Sequence, residues 1–237
     1  MEDLPTWRTA RRTELLAARQ ACSAQQRAHW SAAIMAHLRA ALPAVRGLVI
    51  GCYVPFRGEP DLRALFDEWR AAGADTALPV VKGRGLAMEF RSWWPGCPVV
   101  KGAFSLPMPD GTPLVTPQLV LMPPVGFDDE GFRLGYGGGY FDRTLAALQP
   151  APLKIGVAFE LSRTVSIQPQ AYDIPMDFII TESAVHERRD GRLLRLVGEA
   201  DIGRAVAAHR LRRAAAHDTS REPASSPCYA TQFEQDS

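Results

Sequence analysis

Hydrophobic and polar positions alternate along this chain with two periods, and the period switches several times. Trp30, Ile34, Leu38 and Leu42 recur at a spacing of four, the stripe of an amphipathic helix that Ser23 is positioned to cap, and the first forty residues are helical in pattern. "GLVIGCYVP" then runs apolar without helical phase and closes on Pro55, the pattern of a buried strand. Behind Pro60 and Asp61, the residues Leu62, Leu65, Phe66 and Trp69 return to helical spacing, and Gly73 ends that helix. "DTALPVV" is again strand-like. "LAMEFRSWW" alternates over part of its length, which predicts an extra strand at a sheet edge, while "KGAFSLPMPDGTPLVTP" holds too much proline for regular structure and is expected to be a loop. "QLVLMPP", "LKIGVAF" and "FIITES" supply three more buried runs, and "GRLLRLVG" a last strand. Strands alternating with amphipathic helices imply βαβ units, right-handed crossovers and a mainly parallel sheet in a single α/β domain over residues 1–198. An Arg- and Ala-rich helical extension over 199–216 follows. The polar stretch 217–237 has little to bury and is expected to be a disordered tail.

Composition narrows the function more than the fold. With 237 residues, 46% of them hydrophobic, the chain can bury one large core. A net charge of +1, with both signs interspersed, gives no overall field for nucleic acid, so no nucleic-acid partner is expected. The N-terminus has no apolar signal region and no run approaches the roughly 18 apolar residues of a membrane span. A cytoplasmic protein is the expectation. Cys22, Cys52, Cys97 and Cys228 are scattered without a C-x-x-C pair and read as ordinary thiols.

The chemistry concentrates in "GFRLGYGGGYFDRTL", Gly131 to Leu145. The strand "QLVLMPP" delivers the chain to the carboxyl edge of the sheet, where open α/β folds hold their ligands. Gly135, Gly137, Gly138 and Gly139 let successive backbone N–H groups turn toward one ligand, and a helix starting near Tyr140 would point its positive end there. Arg133 adds a fork of donors suited to phosphate oxygens, and Asp142 offers a carboxylate for the magnesium that travels with a nucleotide. The same glycines also suit a plain tight connection, with Asp142 merely favouring the helix dipole. The spacing is neither that of a Walker loop nor that of a dinucleotide fingerprint.

The longer run "LVLMPPVGFDDEGFRLGYGGGYFDRTLA" resembles the signature of the 5-formyltetrahydrofolate cyclo-ligase family, P-x-x-x-F-D-x-x-G-x-R-L-G-x-G-x-G-Y-Y-D. The resemblance extends more weakly from the first helix to "DIPMDFIITES". It implies a three-layer αβα sandwich and a reaction in which ATP and 5-formyltetrahydrofolate give 5,10-methenyltetrahydrofolate, ADP and phosphate with magnesium (Mg2+). In that family the formyl oxygen attacks the γ-phosphate, N10 closes the ring, and phosphate leaves. By resemblance, Arg133, Leu134, Gly135, Tyr136, Gly137, Gly138, Gly139, Tyr140 and Phe141 form the ATP-phosphate loop, with Arg133 and Tyr140 catalytic. Phe141 stands where the family has a second tyrosine. Asp142 and Asp173 are the implied metal ligands; by itself, Asp173 is also a natural turn residue ahead of Pro175.

Arg8 and Arg12 share the i, i+4 spacing of a K-x-x-x-R pair on the family's first helix, with arginine in place of lysine; Arg11 offers another register, and a solvated arginine face would look the same. On the folate side, "YVPFRGEPDL" resembles the segment in which a glutamate contacts the pterin, which assigns Glu59 and Val54, with Tyr140, to the substrate. Met88, Phe90, Trp93 and Trp94 are candidates either for an aromatic pocket wall or for edge-strand core. The chain departs from the family at Leu62, Ser105 and Met108, and "ELSRT" replaces a segment that usually carries a glutamine. Two other readings therefore stay open beside the cyclo-ligase: a diverged enzyme using ATP on another folate or small acid, and a non-catalytic nucleotide-binding regulatory module. The expected partners are a reduced folate and ATP, in a monomer or homodimer.

Overall fold

The computed structural model describes residues 3–102 and 105–219, the last five by their backbone alone. Asp3 caps α1 (Leu4–Ala21) by accepting the Thr6 N–H at 2.8 Å, and Pro5 occupies the first turn, where a missing N–H costs nothing. Ser23 caps α2 (Ala24–Ala41) through the Gln26 N–H. β1 (Val49–Gly51) follows, then α3 (Arg63–Ala71), whose buried face is Leu65, Phe66 and Trp69; Leu62, one residue ahead of the helix, is buried with them. Gly73, at φ +90°, ends α3 by donating to the Arg70 carbonyl, a position that few residues other than glycine adopt. β2 (Asp75–Val80) pairs with the expected edge strand β3 (Glu89–Ser92) in antiparallel register.

The proline-rich segment is a loop over much of its described length, but Pro107–Pro109 form a strand, β5, which pairs antiparallel with β4 (Val99–Lys101). Its flanking bonds join the Gly102 N–H to the Leu106 carbonyl and the Asp110 N–H to the Pro98 carbonyl, so Pro107 and Pro109 fall on the intervening non-bonded positions and interrupt no ladder bond. β6 (Leu119–Met122) returns to the main sheet. β7 (Gly126–Asp128) and β8 (Arg133–Leu134) lead into α4 (Tyr140–Ala147), followed by β9 (Leu153–Val157) and β10 (Arg163–Thr164). β11 (Phe178–Ile180), β12 (Val185–Arg189), β13 (Arg192–Leu196) and α5 (Glu199–Thr219) complete the chain. The tail expected from 217 onward lies, past Thr219, outside the described residues. No helix among the described residues is long and apolar enough to cross a membrane.

The main sheet has the order β13-β12-β11-β9-β6-β1-β2-β3. Its five central strands are parallel, and antiparallel strands finish both edges. Along β6, Leu119 and Leu121 join α2, α3 and α5 in one core, while Val120 and Met122 join Leu145 and Phe141 of α4 in another. The sheet is thus buried on both faces, in a three-layer αβα architecture. β10, β7 and β8 form a separate small sheet, whose Leu134, with Val125 and Ile167 beside it, packs with Leu15 of α1. β12, which the hydrophobic pattern does not signal because it reads Val-His-Glu-Arg-Arg, is fixed by its turn. Asp190 and Gly191 both take positive φ, as a two-residue hairpin requires.

Candidate active site

The chain leaves β1 toward β2 on one side and returns to β6 on the other, and at such a reversal the loops beyond the strand ends part into a crevice. Here the crevice is a cleft of about 1210 Å³ of empty space, its open mouth included. Val54 and Glu59 line it from beyond β1, Leu78 from β2 and Val81 from just past it, and Leu106 and Met108 from the β4–β5 hairpin. Opposite them lies the glycine stretch.

β8 carries Arg133 into the cleft, and Gly139, at φ +63°, starts α4 there, so the positive end of the helix faces the same space. A Cβ on Gly138 would stand 2.6 Å from the Tyr140 ring, so a side chain at that position would displace the tyrosine. Arg12 reaches across from α1 to donate to the Gly135 carbonyl at 2.7 Å, and its guanidinium lies about 3.5 Å from where a Gly137 side chain would begin. Arg143 folds back to donate to the Gly138 carbonyl and lies over the Tyr140 ring. Two arginines thus clasp the backbone of the loop from outside.

The charged groups are paired before any ligand arrives. Arg133, 8% exposed, donates to Asp142 Oδ1 at 2.8 Å and to the Ile174 carbonyl at 2.6 Å, while the Ile174 N–H donates to the same Oδ1 at 3.0 Å. Burial holds the Arg133 guanidinium below its ordinary range, partly offset by Asp142 and Asp173. Asp173 Oδ2 accepts from Arg8 at 2.5 Å and from the Gln170 N–H at 2.7 Å. Arg12 is likewise lowered, first by burial and then by Arg8, with Asp173 opposing. Five expected residues from three distant segments therefore form one electrostatic cluster.

Glu59 forms the other end of the cleft. It is buried, its Oε1 accepts the Tyr136 hydroxyl at 2.7 Å, and its Oε2 accepts the Phe56 N–H at 2.9 Å. Burial pushes its carboxyl up to about 7, against the lowering effects of Tyr136, Arg19 and the Phe56 N–H. Behind Tyr136 stands Arg19, 2% exposed, which donates to the Tyr136 hydroxyl at 2.7 Å and to the carbonyls of Arg57 and Pro124.

Of the residues expected from sequence, Val54, Glu59, Arg133, Gly135 and Tyr136 line the cleft, as do Gly138, Gly139, Tyr140, Phe141 and Asp142. Arg8, Arg12, Gly137 and Asp173 stand just outside its wall, within the clusters described above. Leu134 does not reach the cleft: its side chain is core beside Leu15, and its carbonyl accepts the Val125 N–H. Met88 lines the cleft, but Phe90 packs between β1 and β6, Trp93 packs on the core and carries Arg70 over its ring, and Trp94 is exposed. The aromatic run is mainly edge-strand structure. Arg19 and Arg143 were not singled out from the sequence. Arg19 had a signal, since it falls in helical phase with Leu15 on the buried face of α1.

The model of the 5-formyltetrahydrofolate cyclo-ligase family matches residues 5–182. The chain belongs to that family. A 5-formyltetrahydrofolate cyclo-ligase of Escherichia coli is 29% identical over 152 residues, which cover 61% of this chain and 84% of that one. One from Mycolicibacterium smegmatis is 30% identical over 146 residues, covering 58% and 75%. An NMR structure of the 5,10-methenyltetrahydrofolate synthetase of Aquifex aeolicus superposes with a TM-score of 0.66 at 32% identity, over 80% of this chain and 96% of that one. The family match ends at Thr181 and Glu182, so β12, β13 and α5 lie beyond it.

Two of the chain's departures from the family's pattern have different weights in this geometry. Leu62 is fully buried beside α3 and does not line the cleft, whereas Met108 does. For a metal, the described residues hold no group of three or more His, Cys, Asp or Glu side chains. That donor set does not make a protein cage, but it fits magnesium held by one or two carboxylates and by the phosphates it accompanies. Asp142 is suited to this, because both of its bonds to the protein fall on Oδ1.

Proposed function

We propose that the protein cyclises 5-formyltetrahydrofolate to 5,10-methenyltetrahydrofolate, driven by ATP, with release of ADP and phosphate. The observation that carries this reading is the division of one cleft into two chemistries. Gly135, Gly138 and Gly139, a helix N-terminus and Arg133 gather at one end, and the buried acceptor Glu59 waits at the other. The first end suits phosphates and the second suits the N–H edge of a pterin.

The formyl oxygen of the substrate is amide-like and a poor leaving group. Phosphorylating it makes it a good one, so that N10 can close the ring and expel phosphate. The protein's work is then positioning and charge neutralisation. Arg133 is suited to that work because Asp142 and the Ile174 carbonyl fix its guanidinium plane in advance, leaving little reorganisation as charge develops. Arg8 and Arg12, with the loop N–H groups, hold the outer phosphates in this reading. Tyr140 borders the place where the two substrates meet, with Val54 as the pocket wall on the folate side. Asp142 and Asp173 would hold magnesium, which supplies neutralisation of the phosphate charge when bound. Leu106 and Met108 give the cleft an apolar side that limits water.

The route is tested by isotope. With ¹⁸O in the formyl group, attack by the formyl oxygen predicts that the label leaves in inorganic phosphate; label retained in an organic product overturns the mechanism. A substrate panel addresses divergence: turnover on 5-formyltetrahydrofolate well above that on other folates and small acids supports the reading.

A further inference from the structure

Tyr136 belongs to the glycine stretch by sequence, but its hydroxyl serves the opposite end of the cleft. The direction of its bonds can be assigned without seeing a proton. A guanidinium only donates, so in the 2.7 Å contact with Arg19 the Tyr136 oxygen is the acceptor. The single phenolic proton is then committed to Glu59 Oε1, also at 2.7 Å. The Phe56 N–H fills a site on Oε2 at 2.9 Å. Among the described residues each carboxylate oxygen thus receives one hydrogen bond, with the Arg19 guanidinium a further 3.9 Å from Oε1; this fixes the plane of the group and leaves lone pairs as acceptors. Arg19 is itself held by the Arg57 and Pro124 carbonyls, so the chain of donors begins from a fixed point.

We propose that Arg19 and Tyr136 are positioning residues that hold Glu59 as a one-way acceptor, and so select a ligand presenting adjacent N–H donors, the amino-pyrimidinone edge of a reduced folate. This deepens the function proposed above and rests on it. It also moves Tyr136 from the nucleotide, where resemblance put it, to the folate. Besides Arg19 of α1 and Tyr136 of the loop, the titratable group facing Glu59 is Tyr53, whose hydroxyl is occupied by the Pro60 carbonyl at 2.7 Å. Tyr136 opposes the upward effect of burial on the Glu59 carboxyl, so loss of its hydroxyl raises that carboxyl further.

The test is Tyr136→Phe, which keeps the ring and removes the donor. Calorimetric titration with 5-formyltetrahydrofolate in the absence of ATP should show Kd raised about tenfold, as for a hydrogen bond to a charged group, with the KM for ATP changed by less than about twofold. The acid limb of folate affinity should also move to higher pH. In a Glu59→Gln background the same substitution should cost less than about twofold, because its effect passes through the carboxylate. Arg19→Lys, which keeps the charge but loses the fork, should weaken folate in the same direction and stands in if Tyr136→Phe does not fold. A wild-type protein that neither binds nor converts the folate overturns the function and this inference together. A wild type that does both, with the Tyr136→Phe loss falling on ATP or adding fully to that of Glu59→Gln, overturns this inference alone.

Discussion

Glu59→Gln should make the protein more resistant to heat at alkaline pH while harming folate binding. The side chain is buried, and its carboxyl lies near 7 instead of the ordinary 4.5. At about 1.4 kcal/mol per pKa unit, that rise corresponds to roughly 3 kcal/mol of penalty for ionising Glu59 in the folded protein. The sign follows from proton binding. The folded state holds this proton more tightly than the unfolded chain, so Glu59's favourable contribution is complete below pH 4.5 and is lost as pH rises through about 7. Glutamine does not titrate. Its amide must face one of the donors from Tyr136 or Phe56, a cost of about 1–3 kcal/mol, but that cost is the same at every pH and cancels from the pH dependence. About 2.5 kcal/mol of the ionisation penalty falls between pH 5 and pH 8, so the melting temperature of Glu59→Gln minus that of wild type, measured calorimetrically without ligand, should climb over that range by roughly 5–10 °C, at 2–4 °C per kcal/mol for a chain of this size. A difference that stays flat within about 2 °C over that range refutes the reasoning, since it would mean that Glu59 ionises in the fold as readily as in water.

The remaining predictions concern the other end of the cleft and the C-terminal helix. Arg133→Ala should lower kcat by about 100-fold or more, and Arg133→Lys should restore only part of it, because a point charge lacks the fork that now engages Asp142 and Ile174; steady-state kinetics with melting controls decide this. Asp142→Asn and Asp173→Asn should each raise the magnesium needed for half-maximal rate, and full activity of both at limiting magnesium removes them from the metal site. Gly138→Ala should slow turnover by about tenfold through displacement of the Tyr140 ring, read as a kcat loss with little change in melting temperature. Truncation after residue 198 removes buried Ile202 and Val206 and the partners of Asp177 and Glu187, so it should cost about 3–5 kcal/mol; an unchanged melting temperature contradicts that packing.

The parts of the fold legible in sequence were those in which burial alone dictates the pattern. Runs such as "LVLM" in β6 are apolar at every position because both faces of the strand are covered, and Ser23 and Gly73 mark helix ends by backbone chemistry that needs no tertiary partner. β12, one strand in from the β13 edge, was hidden because His186, Glu187 and its arginines break the apolar run, and the buried Glu187 is satisfied by Arg189 and by His209, the latter from outside any local pattern. The β4–β5 pair was hidden because proline content alone does not reveal that Pro107 and Pro109 fall on non-bonded positions of the ladder. In the candidate site, the glycine loop and Asp142 were legible because closely spaced glycines ahead of a helix start leave a local mark in the sequence. The pairing of Arg8 with Asp173 joins positions 165 residues apart, and no local pattern encodes it. Arg19 was overlooked because arginine on a helix usually faces water; only its phase with Leu15 set it apart. The side chain of Tyr136 was assigned to its neighbours in sequence, whereas packing delivers it to Glu59.

In the proposed function one cleft couples the phosphoryl group of ATP to ring closure of a formyl folate. The measurement that meets it most directly mixes purified protein, magnesium–ATP and 5-formyltetrahydrofolate, and follows the absorbance of the methenyl product together with ADP in the same sample. Methenyl product and ADP should rise together in equal amounts, with neither formed when either substrate is left out. ADP released without methenyl product, or tight ATP binding with no turnover on any folate, would contradict it.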